Sequence, residues 1–216
     1  MNYSGFKIYS HPRSGTNWLL ALLEQAFNGT VIYARATTGH WSKRVTVTAP
    51  VSNLWGGHNF YSDSLPGPRV YLCRDGRDVA LSLWRTKAFQ HKSWRRLTFL
   101  EFIRRPLDWH ATPGARSISR MTIIEHWKRH LDTWRGASGT CFVRYEDLLQ
   151  HTESEVARIA AFIGREPLLI EDATSGMGPF PSGDYRAAKW RDGFTDADLE
   201  YFFSIVPDDH WGLWNE

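Results

Sequence analysis

The stretch Ser10-His11-Pro12-Arg13-Ser14-Gly15-Thr16-Asn17-Trp18 joins an apolar run, residues 6–9, to a segment of helical periodicity, residues 17–27. A strand that leads straight into a helix presents free backbone N–H groups and the positive end of the helix dipole. Gly15 permits a tight turn, and Arg13 adds a fixed positive charge. Taken alone, the stretch fits an anion-binding loop or an ordinary capped turn between a strand and a helix.

The rest of the chain repeats this alternation of strand and helix. Apolar runs at 70–73 and 141–143 predict two further strands. Amphipathic patterns predict helices over about 75–88, 119–134 and 196–206, with another around 156–163, and Asn28-Gly29 predicts the end of the first helix. Residues 90–118 show no clean period and suggest a long excursion that could cover a site. The expected fold is a mostly parallel central sheet flanked by helices on both faces, in a single domain over 1–216.

Composition narrows the class of protein. A chain of 216 residues with 42% hydrophobic and 23% charged residues has enough apolar side chains for a core and does not suit general disorder. No apolar run approaches the roughly 18 residues that span a bilayer, so no membrane partner is expected. Cys73 and Cys141 both lie in apolar runs and suggest reduced core thiols in a cytoplasmic protein.

Positive charge is concentrated in the middle of the chain. The net charge is only +3, but 20 of the 26 basic residues are arginine. Residues 69–135 hold 15 basic and 6 acidic residues, whereas residues 136–216 hold 6 basic and 15 acidic residues. The planar guanidinium fork suits phosphate and sulfate. This distribution is consistent with an anionic ligand and equally with a solvated basic face.

A second candidate site follows the strand at 70–73. Arg74 stands at the carboxyl end of this strand, where open α/β sheets bind their ligands. Ser82 lies eight residues further on, two turns into the next helix and on a face that could approach a group held by Arg74. The neighbouring residues Arg77 and Asp78 could form a simple surface ion pair.

Three motifs in this order resemble those of the sulfotransferase family. Residues 12–18 look like the family's 5′-phosphosulfate loop, P-K-S-G-T-x-W, with Arg13 in place of the commoner lysine. The segment 71–82 is similar to its 3′-phosphate motif, including the spacing from arginine to serine. Residues 144–148, Arg-Tyr-Glu-Asp-Leu, resemble its R-Y-E-D-L segment. The resemblance implies a P-loop-nucleotide-hydrolase-like sulfotransferase fold.

The resemblance also implies a donor substrate, 3′-phosphoadenosine 5′-phosphosulfate (PAPS), and no metal. By resemblance, the residues Arg13, Ser14, Gly15, Thr16 and Asn17 hold the 5′-phosphosulfate. Arg74 and Ser82 hold the 3′-phosphate, and Trp18 and Tyr145 flank the adenine. For the two aromatic residues, packing in the core is the alternative. In the closing C-terminal loop the family's R-K-G tripeptide is missing, and Arg186 or Lys189 is expected to replace it.

Sulfuryl transfer needs a base for the acceptor proton and positive charge near the bridging oxygen. Arg13 can supply the charge electrostatically, and a histidine suits the base. His58 is the best-placed candidate because Leu54-Trp55-Gly56-Gly57-His58 resembles the strand that ends in the family's catalytic histidine. His40 is the second candidate and could instead line the acceptor site. His11, beside the loop, is expected to be structural.

Two other functions compete with a PAPS-dependent sulfotransferase that acts on a small-molecule or carbohydrate acceptor. A kinase-like P-loop phosphotransferase is disfavoured because residues 10–17 lack the paired glycine and the lysine of G-x-x-x-x-G-K-[ST]. A non-enzymatic anion-binding or nucleic-acid-binding module would use the basic segment and its tryptophans. Trp127 and Trp134 lie on the apolar face of a predicted helix and are expected in the core, so no nucleic-acid partner is expected.

Overall fold

The computed structural model describes residues 5–29, 33–38, 45–50, 52–86, 96–110, 118–168 and 187–207. Among them, a four-stranded sheet forms the centre of the fold. Its strands are β1 (Lys7–Ser10), β4 (Trp55–Gly57), β5 (Arg69–Cys73) and β8 (Thr140–Arg144), in the order β4-β1-β5-β8. All three pairings are parallel, so the carboxyl ends of the four strands meet at one edge. The predicted parallel sheet is confirmed.

Helices cover both faces of this sheet. Alternate strand residues point to opposite sides: Ile8 and Val70 lie in one core cluster, whereas Tyr9 and Tyr71 lie in the other. The first cluster is completed by α1 (Thr16–Asn28), α5 (Tyr145–Gln150) and α6 (Thr152–Phe162). The second is completed by α2 (Gly76–Arg85), α3 (Phe99–Arg104), α4 (Ile123–Trp134) and α7 (Asp196–Ile205).

Most predicted helices form close to their expected limits, because local signals fix their ends. Gly29 ends α1 in the left-handed conformation, as predicted from Asn28-Gly29. Asp75 caps α2 by accepting from the backbone N–H of Arg77. Trp127 and Trp134 are buried in the second core cluster, which confirms their assignment to the core.

The predicted start of α4 was wrong. The helix begins at Ile123 rather than Ser119, because β7 (Ile118–Met121) pairs antiparallel with β6 (Leu107–His110). Thr122 and Glu125 then form a reciprocal capping box that starts the helix.

The prediction of an irregular segment over 90–118 was also wrong in its described part, which contains α3 and β6. Helix α3 is too short for a visible helical period, and Thr98 starts it with a capping box. Three further elements were not predicted: the strands β2 (Tyr33–Thr38) and β3 (Val45–Pro50), which pair antiparallel, and the short helix α5. No helix in the described ranges is long and apolar enough to cross a membrane.

Candidate active site

The predicted anion loop joins β1 to α1 at the carboxyl edge of the sheet. Two of its residues have a left-handed backbone: Arg13 at φ 73° and Gly15 at φ 94°. Thr16 is the first residue of α1, and its hydroxyl lies 2.6 Å from Oγ of Ser10 at the end of β1. This bond ties the start of the helix to the end of the strand. Asn17 is exposed on the first turn of the helix.

Tyr145 fills the space between the loop and Arg74. A Cβ atom on Gly15 would lie 2.5 Å from the Tyr145 ring, so only glycine fits at this close approach. The guanidinium of Arg74 lies over the same ring, 4.2 Å from its centre. Trp18 is buried and meets Tyr145 edge to face at 5.6 Å. One ring therefore sets the spacing of the two predicted anion-binding segments, and the adenine contact of both aromatic residues stays a prediction.

Arg74 is buried and held on several sides. Its Nη2 donates to Oδ2 of Asp78 at 3.2 Å, and its carbonyl oxygen accepts from Nε1 of Trp127 at 3.1 Å. The Trp127 ring packs so closely on Gly76 that a Cβ there would lie 2.6 Å from it. The predicted surface pair of Arg77 with Asp78 was wrong, because Arg77 pairs with Asp75 at 2.7 Å and Asp78 turns inward to Arg74.

Arg13 contacts α2, in the segment 71–82 that resembles the 3′-phosphate motif. Its Nε donates to Oγ of Ser82 at 3.1 Å, so two residues 69 positions apart in sequence are in contact. Desolvation by the surrounding protein, together with the neighbouring Arg74 cation, lowers the pKa of Arg13 to about 10. The Arg13 guanidinium therefore remains charged at neutral pH, and with Arg74 beside it positive charge is concentrated at the sheet edge.

Two hydrogen-bond donors at this edge of the sheet are unsatisfied among the described residues. Within the described part of the chain, the hydroxyl of Ser14 and the Nε of Arg74 are buried without a hydrogen-bond partner. Buried polar groups are rarely left unbonded, because each costs about 1–3 kcal/mol. An anion bound between the loop and Arg74 would satisfy both, so these residues fit the phosphate groups of the expected donor.

His58 follows β4 and lies beside the loop. Its Nδ1 donates to the carbonyl oxygen of Ser10 at 2.7 Å, and Oγ of Ser10 lies 3.4 Å from the same nitrogen. With Nδ1 protonated, Nε2 of the neutral ring carries the lone pair. Glycine is required at position 56, because a Cβ there would lie 2.6 Å from the Tyr9 ring. The hydroxyl of Ser10 contacts both the His58 ring and the Thr16 hydroxyl, and so links His58 to the start of α1.

A cluster of three buried histidines supports the loop from behind. Nδ1 of His11 donates to the carbonyl oxygen of Pro12 at 2.8 Å, and Nδ1 of His126 donates to Nε2 of His11 at 3.0 Å. Nδ1 of His130 lies 2.8 Å from the Tyr71 hydroxyl. Burial lowers the pKa of His11 to about 3 and also lowers those of His126 and His130. All three rings are neutral at physiological pH, consistent with the structural role predicted for His11.

Acidic and thiol groups near the site have shifted pKa values. Burial raises the pKa of Glu146, whose Oε1 accepts from the backbone N–H of Asp75 and links the end of β8 to the start of α2. Burial also raises the pKa of Cys73 far above its usual value, so its thiol stays protonated and unreactive. Cys73 and Cys141 are free and buried, as predicted.

The predicted C-terminal residues are only partly described. Lys189 begins a 3₁₀ turn, Lys189–Asp192, and is half-buried. Arg186 and His40 lie outside the described residues. Sequence reasoning missed the roles of Asp78 and Trp190. Arg74 lies just before α2 and Asp78 lies on its first turn, and their spacing of four residues was the only sequence signal for the pair. In the described ranges, no group of three or more potential ligands is arranged to hold a metal ion.

Comparison with known families gives this arrangement its context. The family model for the sulfotransferase domain matches residues 69–175, about half of the chain. The chain belongs to the sulfotransferase family. The matched part of this sulfotransferase contains Arg74, Ser82 and Tyr145, and the predicted resemblance is therefore confirmed at the level of the family.

Solved structures share the fold of this sulfotransferase. Mouse sulfotransferase SULT7A1, crystallised with PAP, is 15% identical and has a TM-score of 0.58; the match covers 97% of this chain and 87% of that one. Retinol dehydratase matches in complexes with androsterone and PAP and with retinol and PAP, at 17% and 18% identity. Both matches have a TM-score of 0.57 and cover 95% of this chain and 80% of the retinol dehydratase chain. No curated protein sequence matches the chain.

Proposed function

We propose that this sulfotransferase moves the sulfuryl group of PAPS to a hydroxyl or amine on a small-molecule or carbohydrate acceptor. The observation that carries the proposal is the convergence of Arg13, Ser82 and Arg74 at the carboxyl edge of the sheet. A donor with a phosphate at one end and a phosphosulfate at the other needs two adjacent cationic sites. Structures of this fold crystallised with PAP, the product of such a donor, support this choice.

The residues at the sheet edge fit the two ends of the donor separately. The loop residues Arg13 to Asn17 and the first amides of α1 would hold the 5′-phosphosulfate. Arg74, whose Nε is buried without a partner among the described residues, would hold the 3′-phosphate together with Ser82. Lys189 would close over the same end, as would Arg186.

His58 is the proposed base. Its bond from Nδ1 to the carbonyl oxygen of Ser10 fixes the ring and leaves the lone pair on Nε2. Nε2 takes the proton of the acceptor as its oxygen or nitrogen bonds to sulfur, while the bond between sulfur and the bridging phosphate oxygen breaks. Arg13 and the loop amides stabilise the negative charge that develops on that oxygen, which leaves with the adenosine bisphosphate. This assignment needs no metal, and the chemistry suits a cytoplasmic enzyme with reduced thiols.

The proposal is tested by incubating the chain with PAPS that carries a ³⁵S-labelled sulfuryl group and a panel of phenols, aliphatic alcohols, amines and sugars. We expect labelled product with at least one acceptor and its loss in His58→Ala. Transfer of phosphate from magnesium–ATP with no use of PAPS would contradict the proposal and favour a kinase-like enzyme. The labelled product also identifies the acceptor class.

A further inference from the structure

Asp78 is a buried carboxylate whose two oxygens bind different segments of the chain. Its residue is 1% exposed, on the first turn of α2. Oδ2 accepts from Nη2 of Arg74 at 3.2 Å, and Oδ1 accepts from the backbone N–H of Trp190 at 2.8 Å. A buried charge is costly unless it is paired and hydrogen-bonded, and here both conditions are met.

On one side, Asp78 fixes the orientation of Arg74. The guanidinium is planar, so the bond at Nη2 and the Tyr145 ring 4.2 Å beneath it restrict its rotation. The Nε of the same group is buried and has no partner among the residues described. Asp78 thus occupies one edge of the fork and leaves Nε for an anion.

On the other side, Asp78 holds the C-terminal turn, residues 189–193, on α2. The turn makes two further contacts with this helix. The Arg77 guanidinium lies 3.9 Å from the centre of the Trp190 ring, and a Cβ on Gly193 would lie 2.8 Å from the Leu81 side chain. The turn is therefore closely seated on the helix that follows Arg74.

We propose that Asp78 is a positioning residue that couples the 3′-phosphate subsite at Arg74 to the seating of the turn 189–193. The inference rests on the proposed function, because it concerns the 3′-phosphate of that donor. A phosphate at Arg74 fixes the guanidinium, the guanidinium fixes the Asp78 carboxylate, and the carboxylate holds the N–H of Trp190. Loss of the carboxylate charge should weaken ligands that carry a 3′-phosphate and spare those that lack it.

The matched ligands PAP and adenosine 5′-phosphate test this, because they differ only in the 3′-phosphate. In Asp78→Asn, Oδ1 can still accept from Trp190, but the amide turns a donor toward Nη2 of Arg74. We expect about tenfold weaker binding of PAP and unchanged binding of adenosine 5′-phosphate by calorimetry. Asp132→Asn is the control, because Asp132 forms a half-exposed pair with Lys128 on α4; both affinities should stay at the wild-type value.

Unchanged PAP binding in Asp78→Asn, or an equal loss for both ligands, overturns the inference while the proposed function stands. Failure of the wild-type chain to bind PAP overturns both. Hydrogen exchange of the wild-type chain provides a second test that needs no variant. PAP should slow exchange over residues 187–194 more than adenosine 5′-phosphate does. Equal protection by the two ligands contradicts the coupling.

Discussion

The Nε of Arg13 donates a hydrogen bond of 3.1 Å to Oγ of Ser82. Arg13 belongs to the loop between β1 and α1, and Ser82 belongs to α2, so the bond joins the two segments proposed to hold opposite ends of the donor. The two segments meet because β1 and β5 are parallel neighbours, so the loops that follow them start at the same edge of the sheet.

The Arg13 side chain is expected to support catalysis, while its left-handed backbone lowers the stability of the fold. Its φ of 73° is unfavourable for a residue with a side chain and costs about 1–2 kcal/mol. Arg13→Gly should therefore be more stable than Arg13→Ala by about 1 kcal/mol in urea unfolding, while both lose most of the sulfuryl-transfer rate. Equal stability of the two variants would show that the backbone is not strained, and full turnover in either would remove Arg13 from the mechanism.

Gly15 is expected to tolerate no side chain. Gly15→Ala places a Cβ 2.5 Å from the Tyr145 ring at a left-handed φ. We therefore expect a loss of stability of more than about 2 kcal/mol, the combined cost of backbone strain and overpacking, together with a loss of PAP binding. Gly136→Ala is the matched control: its φ is 72°, and a Cβ meets nothing within 4 Å. The control should lose about 1 kcal/mol and bind PAP normally. Similar behaviour of the two variants would refute the close contact with Tyr145.

His58 is expected to affect chemistry and not donor binding. His58→Ala should lower kcat by roughly 10²–10⁴-fold, the usual contribution of a general base, and leave the Kd of PAP nearly unchanged. His151→Ala, which alters an exposed histidine between α5 and α6, should turn over at the wild-type rate. Full turnover in His58→Ala would move the base to another residue, with His40 the next candidate.

The three buried histidines are expected to make the fold sensitive to acid. The pKa of His11 falls to about 3, and those of His126 and His130 are also lowered, whereas an unfolded histidine titrates near 6.5. Between these values the unfolded state binds more protons, so stability is full above pH 6.5 and falls as pH decreases. With three such groups, the free energy of unfolding falls by up to about 4 kcal/mol for each pH unit of acidification.

Urea unfolding between pH 5 and 6.5 measures this slope, above the range in which most carboxylates titrate. The raised pKa values of Asp78 and Glu146 act in the opposite direction, because the folded state takes up these protons at a higher pH than the unfolded chain does. His126→Leu should reduce the slope by about one proton, or about 1.4 kcal/mol per pH unit. A stability independent of pH over this range would show that the cluster is protonated in the folded chain.

The strands, and the positions of the two segments proposed to bind the donor, could be predicted because their signals are local. Apolar runs mark β1, β5 and β8, and glycine ends α1 where expected. The capping box of Thr122 and Glu125 is also visible in the sequence, but the helical pattern continued upstream and concealed the true start of α4. The pairing of β6 with β7, which decides that start, depends on contacts between segments.

The less predictable features of the site depend on tertiary contacts. The orientation of Asp78 toward Arg74 is decided by burial against Trp190, which lies 112 residues away. The need for glycine at position 56 comes from the Tyr9 ring on the neighbouring strand. The tautomer of His58 is set by the carbonyl oxygen of Ser10, 48 residues away. In each case the residue type is visible in the sequence, but its partner is not.

Calorimetric titration of the full chain with PAP and with adenosine 5′-phosphate at moderate salt tests the central claim most directly. We expect saturable binding of PAP that is at least about tenfold tighter, because the 3′-phosphate gains charge-assisted bonds at Arg74 worth about 1.5–3 kcal/mol. Arg74→Lys, which keeps the charge but loses the planar fork, should remove most of that difference. Absence of saturable PAP binding, or equal affinity for the two nucleotides, would contradict the assignment of this sheet edge as the donor site.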